Sequence, residues 1–258
     1  MRRTVKTLLA LVGVGVLVAC ASAPSQSGEA PLQINSSDPL AATLLMQQGQ
    51  ALVDQGQYPQ GIAKIQEAVK LQPDNPTVHN QLGRAELAAG EATKALGEFN
   101  KALDLAPSYS DARNNRGSAY VYLGQYSLAE QDFLTVLGDT TFPNRAGVYF
   151  NLGSLYYGRG NLAAAEENLR KAATAAGPVE AYVLLGKVET QLGHEELAEK
   201  AYREAMRRAP ERPDVPLALA VMLEKQGRGN EAQKLFEQVI SLAPGSKAAQ
   251  EARTHLRR

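Results

Sequence analysis

The chain has no tryptophan, only 6% aromatic residues and a single cysteine, Cys20, in 258 residues. One cysteine excludes an internal disulfide framework and any cysteine-rich metal site. Scarce aromatics beside 44% hydrophobic content fit helices built on alanine and leucine better than a β-sandwich. Neither charge is in excess, with 27 lysines and arginines against 27 aspartates and glutamates, so no nucleic-acid partner is expected. The three histidines, His79, His194 and His255, are far apart and form no HExxH pair. Each is expected on the surface or in packing, and no metal site is assigned. GxSxG, HExxH, Walker A and GxGxxG are all missing. The chain therefore reads as a non-enzyme with no catalytic residue, no cofactor and no small-molecule substrate.

Long hydrophobic runs are also missing, apart from Leu8 to Val18 behind the basic residues Arg2, Arg3 and Lys6. That layout, over residues 1–19, is that of a signal peptide, and the run is short for a transmembrane span. It closes in Leu17-Val18-Ala19-Cys20, which resembles the lipobox of bacterial lipoproteins. The resemblance implies cleavage before Cys20 and acylation of its sulfur, with palmitate-type chains. Alanine rather than aspartate follows at position 21, which in enterobacteria-like sorting implies the outer membrane. Several acyl chains, at roughly 0.8 kcal/mol per buried CH₂, make such an anchor stable. Loss of Arg2, Arg3 and Lys6 leaves 24 basic residues against 27 acidic ones, so charge does not draw the mature chain to anionic lipid. The segment from Ala21 to Asp38 is rich in Ser, Pro, Gln, Gly and Ala without apolar periodicity. With Cys20 it reads as a lipidated flexible tether, residues 20–38, with a reach of about 25 Å.

From Leu40 one pattern recurs. A small residue stands at Gly49, Gly83, Gly117, Gly153, Gly186 and Ala220, with steps of 34, 34, 36, 33 and 34. A turn glycine follows each one, seven residues later, at Gly56, Gly90, Gly124, Gly160, Gly193 and Gly227. Large apolar residues recur at Ile65, Phe99, Phe133, Leu169, Tyr202 and Phe236, and prolines close repeats at Pro73, Pro107, Pro210 and Pro244. A helix–turn–helix period of this length with small, aromatic and proline positions is the tetratricopeptide repeat. The expected fold is all-α, a superhelical solenoid of six repeats over residues 39–244. Their approximate bounds are 39–75, 76–109, 110–145, 146–178, 179–212 and 213–244, with a capping helix over 245–258. Ala249, Ala252 and Leu256 are expected to face inward there, with Arg253, Arg257 and Arg258 covering the end. The step of 36 falls at Asp139–Arg145 and predicts altered stacking between two three-repeat halves. Paired acids Glu166-Glu167 and Glu195-Glu196 are expected at second-helix starts, where they favour the helix dipole.

Without catalytic motifs, function is expected in a concave groove lined by the first helix of each repeat. Its candidate protein-binding positions are Met46, Gln50 and Val53, then Asn80, Arg84 and Leu87, then Asn114, Ser118 and Val121. In repeat four they are Phe150, Ser154 and Tyr157. Phe150 and Tyr157 are seven apart on one helical face, either an exposed binding pair or packing on a neighbouring repeat. Repeats five and six mix charge into this face through Glu180, Lys187, Asp214 and Glu224.

Two stretches point further. Asn114-Asn115-Arg116-Gly117-Ser118-Ala119-Tyr120, and Asp139-Thr140-Thr141-Phe142-Pro143-Asn144-Arg145 before Asn151-Leu152-Gly153, resemble the pilotins of type IV pili, the PilF/PilW/Tgl family. The resemblance covers nearly the whole mature chain. It implies a lipid-anchored outer-membrane protein facing the periplasm that assists localisation and multimer assembly of the pilus secretin, and so twitching motility. A secretin subunit is then the implied partner. Two other readings stay open: a general periplasmic adaptor lipoprotein for peptidoglycan enzymes or outer-membrane assembly, and a non-catalytic subunit of an envelope enzyme complex.

Overall fold

The computed structural model of the chain describes residues 40–174 and 177–257. The chain divides into units Met1–Asn35 and Ser36–Arg258, and the described residues all belong to the second. Cys20 and the tether lie outside them. Thirteen α-helices and no strand occur among the described residues, so the fold is all-α. The first helices of successive pairs are α1 (Ala41–Asp54), α3 (Pro76–Ala88), α5 (Ser110–Tyr122), α7 (Arg145–Gly158), α9 (Val179–Leu192) and α11 (Asp214–Lys225). The second helices are α2 (Tyr58–Leu71), α4 (Ala92–Leu105), α6 (Tyr126–Gly138), α8 (Leu162–Ala172), α10 (Glu195–Arg208) and α12 (Gly229–Leu242), and α13 (Lys247–Leu256) ends the series.

Helix limits follow from local chemistry. The side chains of Asn75, Asn144, Asn161 and Ser246 each accept a main-chain N–H of the following first turn, satisfying a donor that the helix cannot. Between the helices of each pair a glycine reverses the chain. Gly90, for example, has φ +81°, a conformation that a Cβ makes costly.

Within a pair, the helices approach until glycine meets a large side chain. A Cβ on Gly83 would stand 2.6 Å from Phe99, and one on Gly117 would stand 2.6 Å from Phe133. Both rings are fully buried, each contributing about 2–3 kcal/mol by burial. The core then runs across pairs. Ile65 of α2 packs with Leu82 and Ala85 of α3, and Leu169 of α8 packs with Leu185 and Val188 of α9. Each second helix thus supplies half of a core that the next first helix completes, which explains why one pair alone is unstable. Among the described residues, each first helix from α1 to α9 touches the next first helix, and none of the second helices touches the next second helix. The row of first helices is therefore the closer-packed, inner face.

At the Asp139–Arg145 join α6 and α7 meet over fewer residues than the helices at the two joins before it, yet the core is continuous, with Phe142 buried among Phe133, Val136, Val148 and Leu152. Two expectations, on the paired acids and on Leu256, need correction. Glu166 and Glu167 lie inside α8, not in its first turn, and pair four residues on with Arg170 and Lys171. Glu195 and Glu196 do open α10. In α13, Ala249 and Ala252 are fully buried, but Leu256 is 39% exposed, since it is the helix's last residue. Arg253 turns back to bond the Pro244 carbonyl at 3.0 Å.

Candidate functional site

On the inner face, side-chain amides link the first helices of the central repeats. Asn115 on α5 donates to Asn80 Oδ1 on α3 at 2.9 Å, and Asn151 on α7 donates to Asn114 Oδ1 at 3.0 Å. Asn80 also donates to the Tyr109 hydroxyl at 3.3 Å. These bonds cross from one repeat to the next, so Asn80, which is buried, and Asn114 hold the stack. Val53 is not on the surface either. It is buried with Ile65 and Leu82, because its turn of α1 faces α2 and α3. Phe150 and Tyr157 are half-buried and pack around Leu185 and Val188 of repeat five, and the Tyr157 hydroxyl accepts from Gln191 at 3.1 Å. The alternative of packing on a neighbouring repeat describes this pair. Leu87 and Val121 are half-buried against the cores around Phe99 and Phe133. Met46, Gln50, Ser118 and Ser154 are half-buried, Gln50 bonding Asp54 and Ser118 bonding the Asn114 carbonyl. Arg84 is the exposed member, bonding Gln81 at 2.7 Å.

The join after repeat three is a built structure. Asp139 accepts from the hydroxyls of Ser110 and Thr141 at 2.7 Å each and from the Thr141 N–H at 3.0 Å. Bonds from Thr141, then Ser110, hold its carboxyl below the usual carboxylate range. Arg145 donates to the carbonyls of Leu137 and Asp139, at 2.9 Å each, capping the end of α6. Nearby, Tyr156 donates to Glu130 at 2.6 Å, and burial, then that bond, push its hydroxyl up to about 12.

Charged networks that sequence reading did not pair complete the framework. Arg116 forks onto both oxygens of buried Asp132 at 2.7 Å each and onto Asn100 at 3.0 Å. Each histidine bonds a glutamate: His79 with Glu98, His194 with Glu189, His255 with Glu224, all at 2.7 Å. Glu166, Glu189 and His194 bring metal-ligand atoms within 4.8 Å of one another. Arg170 donates to both of those carboxylates, at 2.7 and 3.0 Å, and already supplies the positive charge there. In repeats five and six, Arg212 ties Glu180 to Asp214 at 2.7 Å each.

Two outer features have no place in the repeat pattern. One is a cavity of about 920 Å³ between α8 and α10, lined by Arg170, Ala173, Tyr182, Leu185, Leu197 and Ala201 among others. The sequence carries its cause: twenty residues after the repeat's small residue stand Val69, Leu103, Leu137, Met206 and Ile240, but Ala173 in repeat four. The other is on repeat three, where Tyr122, Tyr126, Leu128 and Leu134 are exposed by 69, 43, 44 and 52%. The exposed residues of α6 carry no charge, unlike those of the other second helices.

The tetratricopeptide repeat profile matches residues 46–110, 114–181 and 150–213, and a second profile of the same repeat matches 189–256. The chain belongs to the tetratricopeptide repeat family. Such repeats are scaffolds that bind proteins, and the inner face of this tetratricopeptide-repeat protein is the surface that they offer. No curated protein matches the chain in sequence. Among solved structures, the fold is similar to that of PilW, a widely conserved type IV pilus biogenesis factor. That match has 21% identity and a TM-score of 0.72, over 83% of this chain and 99% of PilW. It is also similar to pilF of Pseudomonas aeruginosa, at 20% identity and a TM-score of 0.69, over 83% of this chain and 96% of that one. YrrB, a TPR protein with an unusual peptide-binding site, matches at 18% identity and a TM-score of 0.55, over 74% of this chain and 97% of YrrB. At these identities the likeness is one of fold.

Proposed function

We propose that the protein is a non-catalytic, pilotin-like outer-membrane lipoprotein of type IV pilus biogenesis. Its lipid, on Cys20, anchors it to the inner leaflet, and its repeats reach into the periplasm. The inner face binds a segment of a secretin subunit and assists its localisation and assembly into multimers. Near full-length likeness of fold to two pilus proteins carries this reading. The lipobox-like Leu17–Cys20 run and the Asp139–Arg145 join, at which the sequence resembles the pilotins, support it. An extended strand or a short helix fits such a face.

Deleting the gene tests the proposal. Secretin multimers on a non-denaturing gel are expected to fall and twitching to stop, and unchanged multimers would sink it. Replacing Cys20 by alanine is expected to release the protein from the membrane fraction. A photoreactive residue at Arg84 or Ser118 is expected to capture the secretin. Capture of a peptidoglycan enzyme there would favour the general adaptor instead.

A further inference from the structure

Two repeats bury a glutamate at the same place, three residues after the repeat glycine: Glu86 after Gly83 and Glu189 after Gly186. They are 4% and 1% exposed. Glu189 is partnered on both oxygens, with Arg170 donating to Oε1 at 3.0 Å and His194 Nδ1 lying 2.7 Å from Oε2. Gln66 of repeat one stands at the position of Arg170, and Glu91 of repeat two at that of His194. Neither position supplies a cation. Glu86 Oε2 is buried with no hydrogen-bond partner, and an unpaired buried carboxylate is strongly disfavoured.

Glu98, whose charge bears on Glu86, is itself held by His79. His79, one face back on the same helix, is 5% exposed. Its Nε2 lies 2.8 Å from the Pro73 carbonyl, which only accepts, and its Nδ1 lies 2.7 Å from Glu98. The lysines nearby are engaged elsewhere, Lys94 with Glu91 and Lys101 with Glu98, at 2.8 Å each. Around α3, Asp54 of α1 bonds Gln50, and Lys64 and Glu67 of α2 pair with each other while Lys70 is exposed. In α5, Arg113 bonds the Pro107 carbonyl and Arg116 bonds Asp132. Glu86 also sits in the last turn of α3, where the helix dipole adds to the cost of an anion.

We propose that Glu86 is a proton-binding switch that holds α3 against α4 when loaded and loosens repeat two when the proton leaves. Burial, then the charges of Glu98 and Glu91, push the Glu86 carboxyl up to about 7, against the pull of Lys94 and Lys101. A raised folded value means that this stability is fully present in acid and is lost as pH rises through neutrality. Because α3 also carries Arg84 and Leu87, the switch controls how firmly repeat two presents its part of the inner face.

Amide hydrogen exchange on the full chain, corrected for intrinsic rates, tests this with repeat five as an internal control. Between about pH 6 and about pH 8, protection of α3 and α4 is expected to fall by about tenfold while α9 and α10 hold steady. The variant Glu86→Gln is expected to abolish the difference. Equal behaviour of the two repeats in the wild-type chain would overturn the proposal even if the variant failed to fold, as would an unchanged pH response in a folded variant.

Discussion

The pairing of Arg116 with Asp132 allows a sharp test of how the central repeats are held. Asp132 has a side chain 5% exposed and takes both arms of the guanidinium. In Arg116→Met the stem remains and the charge goes, leaving Arg113, 3.7 Å away, as the nearest cation. Stripping one partner from a buried pair costs about 3–5 kcal/mol. Arg113 recovers part of that, so about 2–3 kcal/mol of loss is expected. With a urea slope of roughly 2 kcal/mol per molar, the unfolding midpoint should fall by about 1–1.5 M, read by far-UV circular dichroism. The double variant Arg116→Met with Asp132→Leu should regain most of this, since replacing both members by apolar groups is often neutral or better. If the double variant loses as much as the sum of its two single variants, the pair is not coupled and the reasoning fails.

Three glycines should respond differently to alanine, as thermal unfolding would show. Gly97, inside α4 with open space around it, should gain about 0.5–1 kcal/mol in helix propensity. Gly90, with φ +81° and equally open surroundings, should lose about 1–2 kcal/mol by strain alone. A Cβ added at Gly83 would stand 2.6 Å from the Phe99 ring, so this variant should lose about 1–3 kcal/mol by overpacking, less the propensity gain. Phe142→Ala should cost about 3–5 kcal/mol and raise hydrogen exchange in α6 and α7 together, because that side chain closes the core they share.

Much of the fold is legible in the sequence because each repeat states the same steric demand. Gly83 against Phe99 and Gly117 against Phe133 are two readings of one contact, and the positive φ of Gly90 belongs to a position that recurs six times. The inner-face positions were far less legible. Counting from the glycines places Val53 and Arg84 on comparable faces, yet one is buried and the other exposed, because helix periodicity does not say which neighbour covers a given turn. The join shows the same limit. Two extra residues predict altered stacking, but not that Phe142 and Arg145 fasten the join. No local pattern pairs Asn115 with Asn80 or Tyr156 with Glu130, since each bond spans a repeat.

The sequence by itself determined the repeat, its turn glycines and the lipobox-like cysteine. These depend on residues a few places apart, on turn sterics and on composition, all of which act within one chain segment. Tertiary structure alone decided which side chains remain available and which charges are neutralised. Glu86 and Glu189 occupy the same repeat position, but the one meets carboxylates and the other meets Arg170 and His194. The electrostatic state of a buried group is set by what neighbouring helices bring to it across a low-dielectric core, and that arrangement exists only once the repeats have stacked.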